Sequence, residues 1–126
     1  MKHIATGKHR AFFKVLASTG TAEAAMMTLR PGQSTSDKPE NEHPRCEQWL
    51  FVISGTGRAV VGKSRVTLKP NSLLLIEKSE AHRITNTGRT KMVSLNFYVP
   101  PAYTSNGDLK TLAKVPSVLA TLGLKK

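Results

Sequence analysis

The chain has 126 residues, a single cysteine, and 19 Lys/Arg against 8 Asp/Glu, giving a formal net charge of +11. That length makes one domain with one core, the lone cysteine excludes an intrachain disulfide and suits a reducing, cytoplasmic compartment, and no apolar run approaches the ~20 residues that cross a bilayer as a helix. The charge invites nucleic acid, yet the basic residues are scattered from Lys2 to Lys126 and do not interleave with aromatics as a base-stacking surface does.

Ahead of Glu23 there is no acid. That pattern faintly suggests a targeting segment, but the apolar run Ala11-Phe12-Phe13-Lys14-Val15-Leu16-Ala17 is short and broken by Lys14, so an N-terminal strand is expected instead. Strands are expected over residues 12–16 and 22–29, joined by Ser18-Thr19-Gly20. Ala24-Ala25-Met26-Met27 would also suit a helix, but Arg30-Pro31-Gly32 follows at once and signals a turn. Residues 33–41 are polar and read as a loop that reaches over a barrel mouth.

Residues 46–53 form the best strand. Side chains alternate between faces, so if Gln48 points inward, Leu50 and Val52 do too. Trp49, Phe51 and Ile53 then point outward and call for a second layer, which makes a homodimer the expected assembly. Gly55-Thr56-Gly57 turns the chain. Short strands follow over 58–61, 64–68, 73–76, 82–86 and 91–99, the rhythm of a sandwich or barrel. In the last, Val93, Leu95, Phe97 and Val99 share one face, and Ser94, Asn96 and Tyr98 the other. The domain is therefore expected to run over 1–103. An irregular basic tail would follow over 104–126, with a helical turn or two at 116–122.

Two histidines, His43 and His82, attach to short strands that a small barrel would bring together. Around them stand Asn41 and Gln48 on the first side and Asn86 on the second. Asp37, Glu40, Glu42, Glu47, Glu77 and Glu80 cluster near both stretches, making an acidic mouth that suits a cation. Two neutral imidazoles and one oxygen donor can hold a divalent ion and leave positions open for substrate. By alternation the oxygen donor is Gln48; Glu47 is the alternative if the strand start slips by a residue. Without a metal, the same histidines simply line a pocket. Cys46 beside His43 reads either as a nucleophile or as a small buried residue.

The spacings Asn41-x-His43-x4-Gln48-x6-Gly55 and His82-x3-Asn86 resemble the two motifs of the cupin superfamily, G-x5-H-x-H-x3,4-E-x6-G and G-x5-P-x-G-x2-H-x3-N. Asn41 and Gln48 replace the first histidine and the glutamate, and Glu77 and Ser79 stand at the Pro and Gly. The resemblance implies an all-β double-stranded β-helix, a jelly-roll barrel. It also implies a divalent metal (Zn, Fe, Mn or Ni) held by His43, Gln48, His82 and Asn41, and a small-molecule ligand. The run from Arg45 to Thr56 is further similar to R-x-E-H-W-x-V-V-x-G-T of the type II mannose-6-phosphate isomerases, and His82-Arg83 matches a pair in that family. This implies a sugar-phosphate-like ligand and isomerase chemistry, with dioxygenase chemistry as the other cupin option. The expected substrate pocket comprises Arg83, Leu50, Val52, Cys46, Asn96 and Tyr98. Membrane and nucleic-acid partners are not expected.

Overall fold

Alternating burial along short strands decides the architecture. The computed structural model describes residues 1–8 and 11–110. A single turn of 3-10 helix (Thr6–Lys8) precedes β1 (Phe13–Ser18), β2 (Glu23–Leu29), β3 (Glu47–Ser54), β4 (Gly57–Val61), β5 (Ser64–Leu68), β6 (Leu73–Ile76), β7 (His82–Asn86) and β8 (Met92–Val99). A five-stranded sheet runs β1-β2-β8-β3-β6 and a three-stranded sheet runs β5-β4-β7. All strand pairings within them are antiparallel.

β3 shows how the sequence selects this packing. Gln48, Leu50 and Val52 are buried, whereas Trp49 and Phe51 are half-buried and Ile53 is exposed. Leu50 and Val52 meet Met27, Leu29, Ile76 and Met92 of their own sheet and Ala59, Leu68 and Ile84 of the other, forming one core between the two layers. Fully burying one such aliphatic side chain contributes roughly 1.5–3 kcal/mol. The polar side chains of β8, Ser94 and Asn96, also face inward and are buried. Farther along the same inward face, Tyr98 borders a cavity.

The stretch expected as a loop over the mouth is a loop, fastened along the edge of β7. Gly32 N donates to Asn86 O, Asn86 N to Gln33 O, and Thr35 N to Ile84 O; Glu40 and His82 exchange two backbone bonds at 3.0 and 2.9 Å. The reason is that β7 pairs with β4 on one side only, and its other edge carries backbone groups that need partners.

Two polar side chains fasten the ends of this frame. Asn86 is fully buried; its Nδ2 donates to Leu29 O and Thr90 O, and its Oδ1 accepts from Gly88 N. Glu23 is also buried, and its carboxylate accepts from Ala102 N, Tyr103 N and Ser18 Oγ. Glu23 thus draws the segment after β8 back across β2. There Tyr103 bridges Leu109, and Lys110 N donates to Ala102 O. The helical turn expected at 116–122 lies outside the described residues.

Gly55 sits at the β3–β4 turn with φ +82°, and a Cβ placed on it would lie 2.5 Å from Lys91 O and 2.7 Å from Met92 Cα. Asn71 and Ser79 also have positive φ, 72° and 67°. Ser79 occupies the place where the second motif has its glycine.

Candidate functional site

The loop before β3, β3 itself, β7 and β8 converge at one end of the barrel. His43 comes from the loop, Gln48 from β3, His82 from the start of β7 and Asn96 from β8. All four are buried. The imidazoles of His43 and His82 lie 5.0 Å apart, centroid to centroid. His43 Nε2 is 3.1 Å from Gln48 Oε1. Gln48 Nε2 donates to Asn96 Oδ1 at 2.9 Å, and Asn96 Nδ2 donates to Ser94 Oγ at 3.0 Å. This chain fixes the Gln48 amide with its oxygen toward the imidazole. His82 Nδ1 donates to Glu80 O at 3.0 Å, so its Nε2 keeps a free lone pair when the ring is neutral.

Burial favours the neutral form of both rings. Burial, and then the neighbouring His82, push the His43 pKa down to about 4, against weaker hydrogen bonds that work the other way. Burial lowers His82 as well. An expected result follows. Between pH 6.5 and about 4 the unfolded chain takes a proton on residue 43 that the native fold does not, so stability falls as pH drops through that window. The loss is at most about 1.4 kcal/mol per pH unit, and it stops growing below the folded pKa. Urea midpoints measured against pH should be flatter there for His43→Gln. An unchanged slope would assign the acid sensitivity to other groups.

The histidines open into a cavity of about 450 Å³. Beyond His43, Gln48 and His82 it is lined by Phe13, Tyr98, Tyr103, Glu42 and the turn at Asn106-Gly107, among others. Phe13 and Tyr103 stand 4.6 Å apart and Tyr98 and Tyr103 5.0 Å, centroid to centroid, making one continuous aromatic wall. Burial raises the Tyr98 hydroxyl pKa well above the usual phenol value, and raises that of Tyr103 too. Both therefore stay protonated.

The expected site residues divide on these facts. His43, Gln48, His82 and Tyr98 face the cavity, and Asn96 supports it through Gln48. Asn41 does not join them: it is exposed, because residues 41–46 form no strand and two-residue parity fails there. Glu47 faces the outer side and accepts from Trp49 Nε1. Leu50 and Val52 lie within the apolar core rather than on the cavity surface. Cys46 packs with Ala25, Tyr98 and Ala102, and burial pushes its thiol up to about 11, unlike an activated nucleophile. Arg83 alternates with His82 and so faces away; its Nη2 donates to Ser34 Oγ in a shallow outer groove with Asp37 and Glu40. Sequence reasoning placed Glu42 only within a general acidic mouth, and missed Phe13 and Tyr103 as cavity residues. Only the adjacency of Glu42 to His43 carried a local signal.

This arrangement of strands and histidines has a match among known families. The profile of the cupin domain family matches residues 25–98. The chain is a cupin. Many solved structures share its fold. The cupin is similar to the Bacillus halodurans protein BH2720 (20% identity, TM-score 0.72), a match covering 93% of this chain and 87% of that one. It is also similar to an uncharacterized Klebsiella pneumoniae protein with a double-stranded β-helix domain (16%, 0.71; 87% and 96% covered). A third is a predicted oxalate decarboxylase of Thermotoga maritima (23%, 0.60; 71% and 79% covered). These likenesses establish the double-stranded β-helix fold. No curated protein matches by sequence. No helix among the described residues is long and apolar enough to cross a membrane.

Proposed function

We propose that this cupin binds a small molecule in its cavity beside a divalent transition metal held by His43, Gln48 and His82. The observation that carries the reading is the orientation of Gln48. Asn96 and Ser94 hold its amide so that the oxygen, not the NH2, faces the imidazole. Such outer partners characteristically orient metal-binding groups. The donors also fit by distance. His43 Nε2 and Gln48 Oε1 stand 3.1 Å apart, close enough to reach one ion together. The fit requires His43 to carry its proton on Nδ1 when a metal is bound. The bound metal would supply Lewis-acid polarisation of a ligand oxygen. The chain's own residues orient that ligand and exclude water from it.

A specific observation favours a second reading, a metal-free binding cupin. Among the described residues no three His, Cys, Asp or Glu groups come together as a metal cluster, and His43 and Gln48 satisfy each other. Elemental analysis of untagged protein separates the two. About one equivalent of a transition metal supports the first reading; none, even after incubation with zinc, iron, manganese and nickel, leaves the second. Gln48→Glu adds a carboxylate that offsets the ion's charge, and should tighten divalent binding about tenfold or more. Unchanged affinity would remove residue 48 from the ligand set. A sugar phosphate fits the site poorly, because the described lining holds no lysine or arginine and Arg83 faces the outer groove.

The assembly belongs to this reading too. On the outer face Trp49 pairs with Leu75 and Phe97, and Phe51 with Leu73 and Leu95. Leu73 is 63% exposed on the edge strand β6, and Ile53 and Phe97 are exposed as well. A second copy would cover this apolar patch. Sedimentation at micromolar concentration should show a dimer that Trp49→Lys converts to monomer. A wild-type monomer would reject the interface.

A further inference from the structure

From the outer half of the cavity, we infer a subsite for an organic ammonium group, formed by the wall of Phe13, Tyr98 and Tyr103 together with the Glu42 carboxylate. This deepens the small-molecule reading above but does not depend on a metal being present. Three observations converge on it. The first is the wall, whose rings turn toward one another at 53–73° and border the same cavity. A cation over such rings is held by their negative faces, and more strongly when water is excluded. The second is Glu42. It is half-buried, lines the cavity, and makes no hydrogen bond or ion pair among the described residues. The third is the absence of lysine and arginine from the described lining, in a chain whose net charge is +11.

The two ends of the cavity thus differ in chemistry. The imidazole end offers neutral donors and suits a hydroxyl or carboxylate oxygen, directly or through a metal. The tyrosine end offers aromatic rings and a carboxylate. Glu42 borders the cavity together with Tyr98 and Tyr103 and acts electrostatically on both hydroxyls. The ligand class is a small amino- or trimethylammonium-bearing molecule with an oxygen function at its other end.

A charge series of nearly constant shape tests this. Choline, 3,3-dimethyl-1-butanol and 3,3-dimethylbutanoate place a cation, no charge and an anion on similar skeletons. Each is titrated calorimetrically into the full-length protein, metal-stripped and metal-loaded. Choline should bind about fivefold or more tightly than the neutral alcohol to the metal-stripped protein, and the butanoate should bind most weakly there. Glu42→Gln should shrink the choline preference over the neutral alcohol, and a cooperative urea transition shows that the variant is folded. Tyr103→Leu should weaken choline more than the alcohol. Equal binding of choline and the alcohol, tightest binding of the butanoate to metal-stripped protein, or no choline binding overturns the subsite. A loss of metal in Glu42→Gln would likewise overturn it, by moving Glu42 into the metal site. An absence of metal in wild type bears only on the metal reading.

Discussion

Replacing Gly55 with alanine should cost the barrel about 2–4 kcal/mol, a large share of the stability of a domain this size. Two causes add. At φ +82° an L side chain sits in the left-handed region, which costs roughly 1–2 kcal/mol. The added Cβ would also lie 2.5 Å from Lys91 O and 2.7 Å from Met92 Cα. These are backbone atoms at the start of β8, the central strand that pairs with both β2 and β3. They cannot step aside as a flexible side chain would, so the turn or the strand must shift. Gly62→Ala is the matched control: its φ is +58°, but a Cβ there meets nothing within 4 Å. Urea unfolding should show the Gly55 variant losing more than twice what the Gly62 variant loses, with similar slopes. Equal losses would show that backbone conformation alone, and not the approach of β8, requires the glycine.

His82→Ala should reduce bound metal from about one equivalent to near none while the barrel stays folded. Removing one imidazole from a three-donor site leaves too few protein donors to hold a transition ion at ordinary concentrations. The backbone of residue 82 keeps its two bonds to Glu40, so the edge of the sheet survives the change. The side chain gives up only the Nδ1 contact to Glu80 O and its share of cavity wall. Elemental analysis and a urea midpoint on the same preparation read both effects. Asn41→Ala and Arg83→Ala serve as controls, because neither side chain borders the cavity, and both should keep full metal. Equal metal in wild type and His82→Ala would remove residue 82 from the site.

The fold was legible wherever burial follows sequence with a period of two. In β3, buried Gln48, Leu50 and Val52 alternate with more exposed neighbours, and the Gly55 turn marks where the strand stops. β8 reads the same way through Ser94, Asn96 and Tyr98. Parity failed where the backbone is not a strand. Asn41 is exposed in a loop and Glu42 lines the cavity, the reverse of what counting back from His43 suggests. For Arg83 parity was available and correct: an inward His82 on a strand sends its neighbour outward. Phe13 and Tyr103 were not legible at all. They reach the cavity through contacts between distant segments, and Glu23, which fastens the backbone of Tyr103, looks in sequence like any acid at the start of a strand.

Part of the cavity lining comes from outside the β-strands. His43, Gln48, His82, Phe13 and Tyr98 come from the barrel strands and the loop before β3. Tyr103, Asn106 and Gly107 come from a short segment that Glu23 fastens through two backbone N–H groups and that packs on the barrel through Ala102 and Tyr103. Substitutions in that segment can therefore reshape the cavity while the strands that carry Gln48 and His82 stay as they are. A lineage of such barrels can explore new ligands by varying a handful of positions around 103–107, while the β-framework, and with it the capacity to fold, stays under separate selection. For anyone wishing to redirect the protein, that short segment is the place to randomise, with Glu23 left alone.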